Sequence, residues 1–260
     1  MSQYLGAIWK CRYFWMSLVR MDLRNRYRRS ALGLGWSLLH PIAMTAVLCA
    51  VFSRVFGQDP FDYAPSLLVG LCFWNFISTC TKDGCQSLFQ GEKYIRQYPA
   101  PMAIYPLRTA LGASFHFVVA LGVVLALRIA FKGFGGLAAL PSLFPTLILL
   151  LMLGWSIAIL AAFSTAYFPD VLHLSDVGLQ ILFYATPIIY PPNVLKDKGL
   201  GALVDYNPLA AFVTALRQTL LLGEVPDLAT GGMLVASTVV AGAAAVVVLI
   251  RNEKTIIFQL

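Results

Sequence analysis

Long apolar runs alternate with shorter polar ones along this chain, and the runs have the length a membrane demands. A helix crossing the roughly 30 Å hydrocarbon layer needs about 20 mostly apolar residues. Six stretches serve: roughly 33–56, 63–82, 105–127, 142–167, 174–190 and 230–250. The polar run "TKDGCQSLFQGEKYIRQYPAP" divides the second from the third, and "RIAFKGFGGLAALP" divides the third from the fourth. The pattern therefore predicts an all-α membrane protein of six transmembrane helices.

Two segments fall outside that scheme. Near the N-terminus, Trp15, Val19, Leu23 and Tyr27 recur at four-residue spacing, with Arg20, Arg24 and Arg28 one residue further round. That pairing of stripes predicts an amphipathic interfacial helix on the cytoplasmic side within residues 1–31, with the six-span domain filling 32–260. Between the fifth and sixth spans, "GLGALVDYNPLAAFVTALRQTLLLG" is too apolar for a free loop and too short in its pieces to cross. Asn207 can cap a helix with Pro208 at its first position, and Gly223 can end it. Pro187, Pro191 and Pro192 interrupt the chain just before. Short re-entrant helices on the outer face are expected here.

Composition sharpens the membrane reading. The chain of 260 residues is 59% hydrophobic and 12% charged, about half the charge of a soluble domain. The net charge of +7 would suggest nucleic acid in a soluble protein. Here five arginines crowd residues 20–29, directly before the first apolar run, which points to lipid headgroups and not to nucleic acid. With the N-terminus inside, thirteen of the nineteen lysines and arginines fall in cytoplasmic segments, so both termini are expected in the cytoplasm. The first twenty residues lack a continuous apolar core of the signal-peptide kind.

Few residues look catalytic. Cys11, Cys49, Cys72, Cys80 and Cys85 are odd in number, lack a C-x-x-C pair and read as small buried hydrophobes. His40, His116 and His173 are far apart and unpaired with cysteine, so no metal site is expected. No G-x-x-x-x-G-K-[ST] run occurs, and no cofactor is expected in this chain. Arg24, Arg26, Arg28 and Arg29 sit at headgroup depth, where guanidinium forks can hold anionic groups. Ordinary attraction to anionic lipid is the competing role, at about 1 kcal/mol per residue. Leu32 and Gly33 form the elbow into the first span. Trp36, Phe73, Trp74, Phe76, Phe163, Tyr167, Phe183 and Tyr184 are aromatic positions in the predicted spans and so candidates to line a channel; core packing or an interfacial belt is the alternative. Arg128 is placed to snorkel to the outer surface. Arg217, inside an apolar helix, is expected to face water or an acidic partner, Asp205 or Glu224.

The stretch "RMDLRNRYRRSALGLGWSLLHP" resembles the opening of the membrane subunits of ABC-2 type exporters of bacterial polysaccharides (O-antigen, capsule, teichoic acid). The resemblance rests on Arg20 and Asp22, Arg26-Tyr27, Leu32-Gly33, Trp36 and Pro41. "FPDV" at 168–171, "TPIIYPPN" at 186–193 and "YNPL" at 206–209 extend it along nearly the whole chain. Pro169 departs from the pattern, standing where many relatives carry Arg or Lys.

The resemblance implies a homodimer in the bacterial inner membrane, docked on two copies of a separate ATPase that binds ATP and Mg. The cargo would be a polyprenyl-diphosphate-linked glycan, admitted beside the arginines and Leu32-Gly33. It also implies a short coupling helix carrying Gly91, Glu92, Lys93, Tyr94 and Arg96 that seats on the ATPase. The chain itself would be a transporter subunit and not an enzyme. Two alternatives stay open: an ABC-2 permease for a lipid or drug, and an intramembrane enzyme acting on polyprenyl-linked sugars. For the latter, Asp170 and Asp176 are the only acidic residues near inner span ends.

Overall fold

The structure, a computed structural model, describes residues 2–28, 33, 35–98, 100–191, 193–194, 198–199 and 201–259, and their side chains except at 2, 27, 37, 132 and 203. Among these residues no strand forms. In chain order the helices are α1 (Ser2–Lys10), α2 (Arg12–Tyr27), α3 (Gly35–Val55), α4 (Pro60–Gln97), α5 (Ile104–Lys132), α6 (Leu143–Tyr167), α7 (Val171–Ala185), α8 (Ala202–Asp205), α9 (Pro208–Arg217) and α10 (Leu228–Asn252). Single 3₁₀ turns lie at Leu137–Ser142 and Ile256–Phe258, and a π turn at Gln218–Leu222 continues α9.

Among the described residues, five helical stretches are long and apolar enough to cross a membrane: α3, α4, α5, α10, and α6 with the turn before it. The predicted fifth span is different. Its helix, α7, has 15 residues, about 22 Å of rise, and stops at Ala185. Thr186 precedes Pro187, whose ring disfavours the helical region for the residue before it; Thr186 is accordingly extended, at φ −100° and ψ 134°.

The predicted short coupling helix is also corrected. Residues 87–97 are the end of α4, which runs unbroken for 38 residues, about 57 Å and well beyond a hydrocarbon layer. It starts on an Asp59 cap, whose carboxylate accepts from the Phe61 amide at 2.9 Å, with Pro60 at the first helical position. Gly91 does not break it, because a glycine mid-helix costs only about 1 kcal/mol.

Two apolar clusters organise the bundle. One joins the middle of α4, α5 and α6 to α9 through Phe73, Phe76, Phe117, Leu150, Phe212 and Leu216. The other gathers one end of α1, α2, α4, α5, α6 and α10: Ile8 and Leu18, Leu88 and Ile95, Met102–Leu107, Ile159–Phe163, Leu249, with Ile256 beyond α10. Both termini therefore share the end of the bundle where α4 finishes and α5 begins. Hydrogen bonds fasten it. The Glu253 carboxylate accepts from Tyr4 Oη at 2.6 Å and from the Met102 amide at 2.9 Å. Burial, reinforced by that carboxylate, pushes the Tyr4 phenol above its ordinary range. Tyr167 Oη lies 2.9 Å from Thr255 Oγ1.

The tightest crossing is between α4 and α6. Cys80 and Gly84 face Gly154 and Ala158, a four-residue spacing of small side chains on both helices. Such spacing lets membrane helices approach closely enough for backbone atoms to touch.

Candidate functional site

The N-terminal part of α3 leans on α4 and leaves a cleft on each flank. The first, about 550 Å³, lies between α3, α4 and α5, with Arg26 of α2 at its rim; Trp36, His40, Asn75, Thr79 and His116 are among its lining. A smaller recess of about 190 Å³ shares Arg26, Thr79 and His116 and adds Asp22, Asp83, Gln90 and Arg108. The second cleft, about 600 Å³, lies between α3, α4 and α7, lined by Trp74, Ser78, Lys82, Asp176, Gln180, Phe183 and Tyr184 among others. His40, Pro41 and Asn75 line both main clefts, so the two adjoin across these side chains.

One stripe of α4 supplies the polar wall. Asn75, Ser78, Thr79, Lys82 and Asp83 recur every three or four residues and so share a face. Lys82 Nζ reaches Asp176 Oδ1 of α7 at 2.6 Å, with both side chains about half exposed. The Arg108 guanidinium donates two bonds to the Asp22 carboxylate, tying α2 to α5 beneath the recess.

The candidate residues divide sharply by location. Arg24, Arg26 and Arg28 are exposed on the last turn of α2 and just beyond it, while Leu18 and Val19 are buried. Arg29 and Leu32 lie outside the described residues. Gly33 has φ +50°, a left-handed conformation that glycine adopts without strain. Trp36 is 55% exposed in the first cleft, and Phe76 forms part of its wall. Trp74, Phe183 and Tyr184 come together in the second cleft, their neighbouring ring centroids 5.4 Å apart.

Phe73 and Phe163 are 0% and 1% exposed and belong to the two core clusters. Neither lines either of the main clefts. Tyr167 fastens the C-terminal segment. On α4, Gly91 is buried with the Tyr105 ring over it, Glu92 pairs with Arg96 at 2.9 Å, Lys93 is exposed, and Tyr94 meets Phe14 edge-on at 5.9 Å.

Two arginines differ from expectation. Arg128 is buried, its guanidinium donating to the Gly135 carbonyl, because the hairpin after α5 folds back over it. Arg217 meets three backbone carbonyls where a carboxylate or water was expected. Sequence reasoning weighed His40 and His116 only as metal ligands and Asp176 only for an enzyme, and passed over Asn75, Thr79 and the pairing of Lys82 with Asp176. The signal for α4 was present as polar positions at helical spacing inside an apolar run.

The two clefts differ in chemistry. The first offers guanidinium, imidazole, amide and hydroxyl groups; the second offers aromatic faces beside amides and an ion pair. Over residues 13–221 the sequence matches the ABC-2 type transporter family. The O-antigen export system permease protein RfbA of Myxococcus xanthus is 27% identical over 231 residues, 87% of each chain. Two proteins of the same name from Klebsiella pneumoniae are 23% and 22% identical over 206 and 208 residues, about four-fifths of each chain. Matched across most of its length and built of apolar helices of spanning length, the chain belongs to the ABC-2 type transporter family.

Proposed function

We propose that this chain is the membrane subunit of an ATP-driven exporter that moves a polyprenyl-diphosphate-linked polysaccharide across a bacterial inner membrane. It works as a homodimer on two copies of a separate ATPase. The names of its relatives support the cargo class. The observation that carries the reading is that a basic, polar cleft and an aromatic, amide-lined cleft adjoin across His40, Pro41 and Asn75. A lipid-linked glycan has both chemistries: a diphosphate for guanidinium groups and sugar rings for aromatic faces.

In this reading the end holding both termini faces the cytoplasm, and α7 with the segment after it makes the sixth crossing. The α1–α2 arm lies in the headgroup plane, with Arg24 and Arg26 beside the arriving diphosphate. ATP and Mg belong to the partner, since this chain has no phosphate-binding loop of the G-x-x-x-x-G-K-[ST] kind. The coupling surface is the end of α4, around Glu92, Lys93 and Arg96. Because α4 is one unbroken helix, a displacement there moves Lys82, Thr79 and Asn75 with it. Conformational work then reaches both clefts without an intervening hinge.

The test is co-purification with an ATPase, followed by hydrolysis measurements with and without a lipid-linked glycan. Glycan is expected to stimulate hydrolysis. Arg24→Gln with Arg26→Gln should abolish that stimulation and lower export while leaving membrane insertion intact. Stimulation by lipid or drug but not by glycan would overturn the reading.

A further inference from the structure

The far end of α7 holds an arrangement that the transport reading does not require. Where the helix stops, its freed carbonyls need donors in surroundings with little water. Each carbonyl from 184 to 189 has one. Tyr184 O accepts from Tyr190 Oη at 2.6 Å, Ala185 O from Asn207 Nδ2 at 3.4 Å, and Thr186 O from the Ile188 amide at 2.7 Å. Pro187 O and Ile188 O accept from Arg217 Nη1 and Nη2 at 2.8 and 2.9 Å, and Ile189 O from Tyr63 Oη. The third Arg217 bond runs from Nε to Ser66 O of α4 at 3.2 Å.

The donors from outside the segment come from two elements. Tyr63 is on α4; Asn207 caps the start of α9 and Arg217 ends it. Asn207 does double service, its Oδ1 capping α9 at the Leu209 amide while its Nδ2 also reaches Thr186 Oγ1 at 3.0 Å. Thr186 and Ile188 are 0% and 1% exposed. Gly70 of α4 makes room, since a Cβ there would sit 3.0 Å from Ile188 Cγ2. A planar guanidinium reaches three carbonyls on two segments at once; an ammonium presents one compact point of charge.

We infer that Arg217, with Asn207 and Tyr63, is a positioning residue that pins segment 185–190 to the outer end of α4, closing it against the outer aqueous phase and making it move with α4. The pin thereby joins the outer mouth to the same helix that meets the ATPase. This rests on the exporter reading for the side of the membrane and for the meaning of closure. It does not depend on what the cargo is.

The experiment uses the full chain co-expressed with its ATPase. Ile188→Cys reports accessibility to a membrane-impermeant maleimide added outside, compared with the chain lacking that cysteine. Tyr206→Cys, at a site 82% exposed, marks the side. Ile188→Cys alone should stay protected. Adding Arg217→Lys should raise its labelling by roughly tenfold or more, because the lysine leaves buried carbonyls unpaired. Adding Tyr63→Phe, which removes one donor and no charge, should raise it roughly threefold to tenfold.

In the Arg217→Lys complex, hydrolysis should continue while export per ATP falls. If both variants leave Ile188→Cys protected, the pin is refuted. Export and hydrolysis falling in parallel without new labelling refutes it too. Should Arg217→Lys fail to accumulate in the membrane, Tyr63→Phe decides alone, in the same two directions. Labelling of Tyr206→Cys only from the cytoplasmic side would sink the exporter topology instead, leaving the pin to be read from that side.

Discussion

Gly84→Ala puts the α4–α6 crossing to a quantitative test. A Cβ at position 84 would lie 2.9 Å from Ala158 Cα, 3.2 Å from its Cβ and 3.3 Å from its carbonyl oxygen. Ordinary contact begins near 3.4 Å, so the helices must part by about half an ångström at this point. No rotamer change relieves the clash, because two of the three atoms are backbone. One turn away, Gly154 lies beneath Phe76 and Cys80, where an added Cβ would meet atoms at 2.6 and 2.9 Å. Parting the helices at Gly84 loosens that contact as well. Overpacking of this kind costs about 1–3 kcal/mol, while glycine to alanine within a helix returns up to about 1 kcal/mol. The propensity gain can be removed by comparison. Gly122 on α5 has nothing within 4 Å of a built Cβ, so Gly122→Ala collects the gain without the clash. Unfolding midpoints of both variants, measured in one detergent by titrated denaturant, should place Gly84→Ala about 1–3 kcal/mol below Gly122→Ala. Equal stabilities, or Gly84→Ala the more stable, would show that the two backbones do not touch here.

Two further outcomes are expected. Asp22→Asn removes the carboxylate that receives both Arg108 bonds; with Asp22 40% exposed and Arg108 11% exposed, the loss should be about 1.5 kcal/mol, the low end for bonds to charged groups. Trypsin should then cut α2 at Arg24 or Arg26 about tenfold faster, and an unchanged digestion rate would show that the pair does not hold α2 down. Lys82→Asp sets two carboxylates against each other on α4 and α7 and should lower export, while Lys82→Asp with Asp176→Lys should restore most of it. Because the pair is half exposed, neither variant should change stability by more than about 1 kcal/mol; a swap no better than the single change would dismiss the pairing.

How far the sequence disclosed this fold depended on what each residue's neighbours were. Hydropathy placed α3, α5, α6 and α10 to within a few residues, because burial in lipid is a property of a segment by itself. The caps at Asn207 and the stop at Gly223 were equally local: Asn207 accepts from its own helix at Leu209, and Gly223 has φ +73°. What went wrong was decided by partners distant in sequence. Gly91 reads as a breaker when taken alone, yet it is where α4 admits the ring of Tyr105. Arg217 was expected to face water or a carboxylate, because Pro187 marks where a helix breaks but not which side chain, some thirty residues on, will pair with the carbonyls there.

The site was legible to a similar depth and for the same reason. The arginines of α2 stood out because charge beside an apolar run is conspicuous. Phe73 and Trp74, adjacent in sequence, show where that kind of reading ends: successive helical positions lie about 100° apart, so one entered the core and the other a cleft. A phase for α4 was nevertheless available. Asn75, Ser78, Thr79, Lys82 and Asp83 mark the face that cannot be lipid-exposed without cost, and fixing that face sends Phe73, Phe76 and Cys80 inward together. The polar stripe in an otherwise apolar helix thus carries two kinds of information at once, the orientation of the core and the wall of the clefts. In a helix that is otherwise apolar on every side, it is the polar positions, and not the aromatic ones, that show which way the clefts lie.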